Sequence, residues 1–294
     1  MSQDRFEKIS IEGWRQFQSV HIDFHPRLTI ITGANGSGKS TILSFLTRHF
    51  GYNRNYLATP TKIGGALKFS YGLFSWAKNR SSFFRRNKSE DQDRIGEITY
   101  TSGHVSPIQI PRSQSLHYSV NVIGGRSVSG IHIDSHRPPN IYRAVGSIPA
   151  SSPDVSGIGN SLNNEYQNYF SNGSISSGSL HHIKMALIQM SIFGHGNSTM
   201  EPNPQLIELF TGFEDKLRKI LPKSLGFKKL IIRSPEILLS TRTGDFLIDA
   251  ASGGVIKLFE ITWQVYFFSK SLEESDSYVI TFDEPENHLH PSMQ

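Results

Sequence analysis

Cysteine is absent from the chain, so neither a disulfide framework nor a thiolate metal site can be built from it. Long apolar runs are missing as well. The most apolar helical stretch, residues 261–268, is short and broken by Gln264, far below the roughly 20 residues that a bilayer crossing needs. The opening residues Met1, Ser2, Gln3, Asp4 and Arg5 hold no apolar core of a secretory signal. These absences predict a cytoplasmic protein with no membrane segment. No heptad pattern is sustained over three or four repeats and no internal repeat recurs, which excludes a long coiled-coil arm. There is no His-Asn-His array, and no acidic cluster with metal-site spacing outside residues 283–286. A cutting centre for nucleic acid is therefore not visible. Charge of one sign does not dominate: 30 Lys+Arg against 25 Asp+Glu leave +5. That balance is compatible with DNA or RNA as a partner and does not demand one.

What is present begins with size. A chain of 294 residues, 37% hydrophobic, can bury a core as one large α/β domain or as a domain with an embedded lobe. Residues 6–11 and 20–24 read as strands, the second alternating Val20, Ile22 and Phe24 toward one face. Residues 27–32 form a continuous β-branched run, as expected of a central strand covered on both sides. Residues 40–50 switch to helical spacing. Residues 95–133 hold several short strand-like pieces, read as an antiparallel β subdomain. Residues 135–203 are rich in Ser, Asn, Gly and Pro, with helices expected near 161–170 and 180–193. Residues 204–221 form a better amphipathic helix, with Leu206, Ile207, Phe210, Phe213, Leu217 and Ile220 on one face. Residues 227–248 read as strands joined at Thr243 and Gly244.

The clearest chemistry lies at Gly33-Ala34-Asn35-Gly36-Ser37-Gly38-Lys39-Ser40, which satisfies G-x-x-x-x-G-K-[ST]. Glycines let backbone N–H groups converge on a β-phosphate, and the following helix offers its positive end. Lys39 is placed to neutralise the β- and γ-phosphates, and Ser40 to ligate Mg²⁺. Thr41 completes the candidate nucleotide contacts. The four fixed positions would coincide by chance in about 1% of chains this long. Placement between an apolar strand and a helix lowers that further, so an incidental glycine-rich turn is the weaker explanation.

Two more elements give the loop its context. Residues 277–282 are a β-branched and aromatic run ending in Asp283 and Glu284. A strand that delivers carboxylates at its C-terminal end suits a Walker B element, Asp283 holding the Mg²⁺ shell and Glu284 polarising water. Alone, an acidic turn would be an ordinary alternative; beside a phosphate loop it is not. Ser252, Gly253 and Gly254 stand at the head of a helix expected over 255–269, an anion site in its own right. Ser252 lies 31 positions ahead of Asp283 (283 − 252), room for one helix and a connector.

Ser252-Gly253-Gly254 resembles the signature motif of ABC ATPases. The tail Asp283-Glu284-Pro285-Glu286-Asn287-His288-Leu289-His290-Pro291 looks like their Walker B and D-loop. With the opening around Trp14, Arg15, Gln16 and Phe17, and with Asp134-Ser135-His136-Arg137-Pro138, the chain resembles ABC-type AAA-family ATPases related to DNA-repair heads and to OLD-type and prokaryotic antiphage-defence ATPases. These matches cover the two ends, about a third of the chain. The resemblance implies an α/β P-loop NTPase of ABC type. Its sheet would be central and mostly parallel, with an antiparallel β subdomain and an inserted helical lobe. It further implies ATP and Mg²⁺ as ligands and a head-to-tail homodimer across ATP, the Ser and Gly of one protomer meeting the γ-phosphate held by the other. A separate nuclease or other effector, and DNA or RNA, are the partners it suggests.

The expected division is 1–62 for the phosphate-loop part, 63–134 for the β subdomain, 135–245 for the helical lobe, and 246–294 for signature, Walker B and D-loop. In the family a further strand after the D-loop ends in a histidine on the γ-phosphate. This sequence stops eleven residues past Asp283, so binding is the safer expectation than unaided hydrolysis. A transporter nucleotide-binding subunit and a non-hydrolysing ATP-bound scaffold are the competing readings. Residues 78–88, with Lys78, Arg80, Arg85, Arg86 and Lys88 around Phe83 and Phe84, are a candidate DNA contact or a solvated loop. His288 and His290 could in principle ligate a metal, but lack well-spaced partners. His181 and His182 read as helix surface and core edge, and Gln109 and Gln114 as uncommitted candidates for a Mg²⁺-sensing glutamine.

Overall fold

The computed structural model describes residues 4–63, 66–70, 92–111, 115–136, 140–174, 177–272, 276–287 and 289. The basic stretch 78–88, Gln114, His288 and His290 lie outside the described residues. The chain divides into two compact units, the first Met1–His132 with Ser275–Thr281, the second Ile133–Glu274 with Phe282–Gln294.

The first unit is built on a hairpin. β1 (Phe6–Trp14) and β2 (Phe17–Asp23) pair antiparallel with Trp14 opposite Phe17. Only Arg15 and Gln16 lie between them, so the tip is a two-residue turn, and Arg15 takes a left-handed φ of 51° as such tight turns require. β6 (Gln92–Tyr100) pairs along the other edge of β1. There the register slips by one residue between Phe6 and Lys8, a bulge that lets Phe6 and Ile9 both face the core despite their odd spacing. β7 (Val105–Pro111) and β9 (Asn121–Val122) complete an antiparallel sheet of order β2-β1-β6-β7-β9. Residues 95–122 therefore extend the N-terminal hairpin rather than forming a layer of their own. Short pairs lie beside it: β3 (Asn55–Leu57) with β8 (His117–Ser119), and β4 (Thr59–Ile63) with β5 (Ala66–Ser70).

The helix after the glycine-rich loop, α1 (Lys39–Thr47), runs on as a 3-10 turn over Arg48–Phe50. It buries Ile42, Phe45 and Leu46. Phe45 packs 5.4 Å from the Trp14 ring, and Tyr56 meets the same indole edge-on at 5.2 Å. Trp14 is fully buried, and an aromatic buried this way contributes about 1.5–3 kcal/mol through its apolar area. The Tyr56 hydroxyl shares a short hydrogen bond with Ser44 of α1, and burial pushes its pKa up. At the far end of α1, His49 packs edge-on against Phe6 and shares a 2.7 Å hydrogen bond with the Tyr100 hydroxyl.

Two expectations about the sheet are corrected. Residues 27–32 belong to no strand ladder, and Leu28 and Ile30 are 68% and 74% exposed. A β-branched run marks a segment that suits a pleated surface; it becomes a strand only where a partner meets its backbone. Likewise, every pairing in the five-stranded sheet is antiparallel. A central, mostly parallel sheet does not occur among the described residues. Among the described residues, parallel character is confined to β10 (Ser129–Ile133) and β14 (Tyr278–Phe282), which pair with each other. Their contacts climb in step, Ile131 with Thr281 and Ile133 with Asp283. The pair is only partly covered: Thr281 is buried, while Tyr278 and Phe282 are exposed. His132 of β10 is buried, sharing a 2.9 Å hydrogen bond with Thr281 and meeting the Tyr52 ring edge-on.

The second unit is helical with a small meander. α2 (Val155–Asn172), α3 (Ser179–His195), α4 (Pro204–Ile220) and α5 (Gly253–Lys270) pack together, with Phe213 of α4 against Phe259, Trp263 and Phe267 of α5. α2 begins on an Asp154 cap and α4 on an Asn203 cap with Pro204 at its first position, both standard N-terminal devices. The buried stripe of α4 is Leu206, Leu209, Phe213 and Leu217; Ile220 is exposed. The buried face thus takes in Leu209, while Ile207 and Phe210 of the expected face are half-buried. The strand after α4, β11 (Lys229–Arg233), is followed by β12 (Glu236–Ser240) and β13 (Asp245–Leu247), an antiparallel meander of three strands. A 3-10 turn over Ile248–Ala250 then leads into α5.

Candidate nucleotide-binding site

In the first unit the glycine-rich loop sits directly on the hairpin tip. Gly36 and Gly38 have φ of 81° and 98°, a region side chains rarely enter. Gly38 is also close-packed: a Cβ there would lie 2.4 Å from Gln16 Nε2 and from the Phe17 ring. The Trp14–Phe17 turn therefore supports the end of the loop where the helix begins. Gly38 is the N-cap of α1 and supplies no side-chain cap, leaving the first amides of the helix open to an anion. Gly33, Ala34, Asn35, Gly36 and Ser37 are exposed; Gly38, Lys39, Ser40 and Thr41 are half-buried.

Lys39 turns back over this loop. Its ammonium donates to the carbonyls of Gly33 at 2.9 Å and Ala34 at 3.2 Å. A cation held over a ring of backbone groups, with an uncapped helix start beside it, fits a polyphosphate in charge and shape. Ser40 would stand at the Mg²⁺ shell from the second position of α1. Arg15, at the hairpin tip, lies over the Trp14 and Tyr56 rings at 5.7 and 5.3 Å. In the sequence it stands out only as part of the opening around Trp14–Phe17 that resembles the family, with no role of its own. The signal that could have found it is the two-residue gap between strand-like runs ahead of the glycine-rich loop.

The second unit carries the other candidate residues. Ser252 is the N-cap of α5, yet its side chain makes no capping hydrogen bond. Ser252 and Gly253 are exposed and Gly254 is half-buried, so a hydroxyl and the first helix amides face outward together. α3 offers a contrast. Its start also lacks its own side-chain cap, but the buried Glu165 carboxylate accepts from the amides of Ser177 and Gly178 at 3.1 Å each. The anion position of α3 is filled from within, and that of α5 is not.

Asp283 is set at the end of β14, its amide donating to the Ile133 carbonyl at 3.0 Å. It is half-buried, whereas Glu284 is exposed. Glu284 has a left-handed φ of 48°, a conformation costing about 1–2 kcal/mol for a residue with a Cβ and concentrated at functional positions. Its carbonyl accepts from Asn287, closing a turn. The Asn287 carbonyl in turn accepts from Lys257, a buried lysine in the second turn of α5. The signature-like helix start and the acidic turn are thereby tied within one unit, by a residue that no sequence motif marks. Of the remaining candidates, His181 and His182 lie half-buried on α3 and Gln109 half-buried on β7. No group of three or more His, Asp or Glu able to hold a metal occurs among the described residues. No described helix is long and apolar enough to cross a membrane.

A family model described as an AAA domain matches residues 8–219, which includes the hairpin, the glycine-rich loop, α1 and most of the helical unit. No curated protein gives a significant match. A match over well more than half of the sequence, one that includes a loop shaped for phosphates, places the chain in the AAA domain family of P-loop ATPases.

Proposed function

We propose that this protein is an ATP-dependent dimerising switch, serving nucleic-acid maintenance or phage defence together with a separate effector. The observation that carries the reading is the pair of open helix starts. α1 and α5 both begin without a side-chain cap, and each pairs that opening with a group suited to phosphate, Lys39 on one and Ser252 on the other. One nucleotide would be held by residues 33–41 of one protomer, its γ-phosphate meeting Ser252, Gly253 and Gly254 of the second. A Mg²⁺ bound with the nucleotide would offset charge on the β- and γ-phosphates, and Ser40, next to Lys39, is the hydroxyl suited to its shell.

Within this scheme the chain's own residues divide the work. Lys39 leaves the Gly33 and Ala34 carbonyls to neutralise phosphate, so the loop exchanges an internal partner for the ligand. Glu284, exposed at the strand end, orients the attacking water and takes up its proton. Hydrolysis removes the group that both protomers share, and the dimer opens.

The test is association of a Glu284→Gln chain, in which nucleotide is bound but not turned over. Sedimentation should show a monomer without nucleotide and a dimer with ATP and Mg²⁺. A chain that binds ATP yet stays monomeric at every concentration would end the proposal. Lys39→Ala in the same background should abolish the shift.

A further inference from the structure

α3 grips the start of α5 from both sides. Ser179, its first residue, bonds the Glu260 carboxylate two turns into α5. Five residues further along α3, Lys184 donates to both oxygens of Asp249, at 3.0 and 3.2 Å, and to Glu236 Oε2 at 3.2 Å. Asp249 lies in the 3-10 turn that runs into α5, three residues before Ser252. Glu236 is the first residue of β12. The Tyr142 hydroxyl donates to the other oxygen of Glu236 at 2.7 Å, and the Tyr142 ring stands 4.9 Å from the Lys184 ammonium.

The Lys184 side chain is fully buried. Removing an ammonium from water costs several kcal/mol, and burial is tolerated only where partners surround the charge. Here two carboxylates share one cation. Without it, Glu236 and Asp249 would face each other in a nearly dry pocket, and one would have to turn toward solvent. β12 is held by ladders on both edges, to β11 and to β13. The turn carrying Asp249 has a single backbone bond of its own, from the Ala251 amide to the Ile248 carbonyl. Asp249 is the group that would yield, and Ser252 lies directly downstream.

The geometry points to Lys184 as a positioning residue for Ser252: through Asp249 it fixes the segment that presents the α5 start to the nucleotide of the opposite protomer. This rests on the composite site proposed above. Lys184 touches no nucleotide, so its loss acts on the signature half of the site and leaves the phosphate loop of the same chain competent.

That asymmetry supplies the experiment. The chain has no cysteine, so single introduced cysteines allow two dyes to be placed on two variants and energy transfer to report association. In a Glu284→Gln background, Lys184→Met should bind a fluorescent ATP analogue as the parent does. Its ATP-dependent dimer should be about 10- to 100-fold weaker, the usual range for losing a supporting residue. Mixing it with a Lys39→Ala chain builds one complete site per heterodimer, Lys39 from one chain facing an intact Ser252 segment from the other. Energy transfer in the mixture should then exceed that of either variant alone. A Ser252→Arg chain mixed with Lys39→Ala is the control for the composite site itself. If the control recovers and the Lys184→Met mixture does not, or if Lys184→Met dimerises like its parent, the role of Lys184 is overturned. If the control fails, the composite site falls and takes the inference with it. Should Lys184→Met not fold, adding Glu236→Gln and Asp249→Asn removes the uncompensated charge. That triple variant should regain the parental melting temperature but not the parental dimer; regaining both would equally overturn the role.

Discussion

Gly38→Ala isolates what the hairpin does for the phosphate loop. Two penalties add. The φ of 98° costs a residue with a Cβ about 1–2 kcal/mol, and the new carbon would sit 2.4 Å from both Gln16 Nε2 and the Phe17 ring. Gln16 can swing aside at little cost, being the far end of a flexible side chain. Phe17 cannot: it is buried and stacked on Trp14, their ring centroids 6.3 Å apart. Overpacking of such a site costs about 1–3 kcal/mol. Gly36→Ala is the matched control, with φ of 81° and nothing within 4 Å of its Cβ, so it bears the strain alone. The difference between the two variants should therefore be about 1–3 kcal/mol in urea denaturation, with Gly38→Ala the less stable. ATP-analogue binding should fall further in Gly38→Ala, because relief of the clash displaces either the hairpin tip or the start of α1. Equal stability and equal binding for the two variants would refute the claim that Phe17 buttresses the loop.

Lys39→Ala removes two hydrogen bonds in an exposed loop, so the melting temperature should hardly change, while nucleotide affinity, read by equilibrium titration, should fall about 100-fold or more. Acidification should destabilise the protein through His49, whose pKa burial holds below the ordinary imidazole value of 6.5. A depressed folded-state value means the contribution is present above pH 6.5 and is lost as pH falls through the folded-state value, so melting temperatures measured from pH 7.5 downward should decline, and His49→Gln should flatten the slope. Glu284→Gly should abolish turnover without lowering stability, since glycine releases the left-handed strain at φ 48°; a marked drop in melting temperature would show that the Glu284 side chain holds the turn by contacts of its own.

The elements with strong local signals were legible from residue order. The helix after the glycine-rich loop, the helix expected over 180–193 and the strand leading into Asp283 occur where periodicity and composition place them, while the helix expected near 161–170 begins earlier, at Val155. Partnership was not legible. Alternation tells which face of a strand is apolar, and says nothing of which backbone lies alongside. Residues 95–100 pair with β1 across about 90 positions of sequence, a contact carried by no local pattern. Residues 27–32 show the same gap from the other direction, with strand-like residues and no ladder. The hairpin at Arg15 and Gln16 could have been read: two residues between complementary runs, with Gly13 just ahead, is the spacing of a tight turn.

The same distinction applies to the site. Residues 33–41, 252–254 and 283–284 could be named because phosphate chemistry constrains residue type at fixed spacing. The residues that arrange them obey no such rule. Lys184 interrupts an apolar stretch of α3, and Lys257 and Glu260 interrupt one of α5, yet all three are buried. Each is a charge where periodicity predicts core. Two of them bond a segment beside a candidate site, Lys184 the turn before Ser252 and Lys257 the turn after Glu284, and Glu260 holds the start of α3, the helix that carries Lys184. Burying a charge is costly enough that a chain keeps it only with partners in place. An isolated Lys or Glu on the apolar face of a strong helix is therefore a readable sign that something on the neighbouring element is being held. In this chain Lys184 points at the start of α5 and Lys257 at the acidic turn tied to it, while Glu260 anchors the helix that carries Lys184.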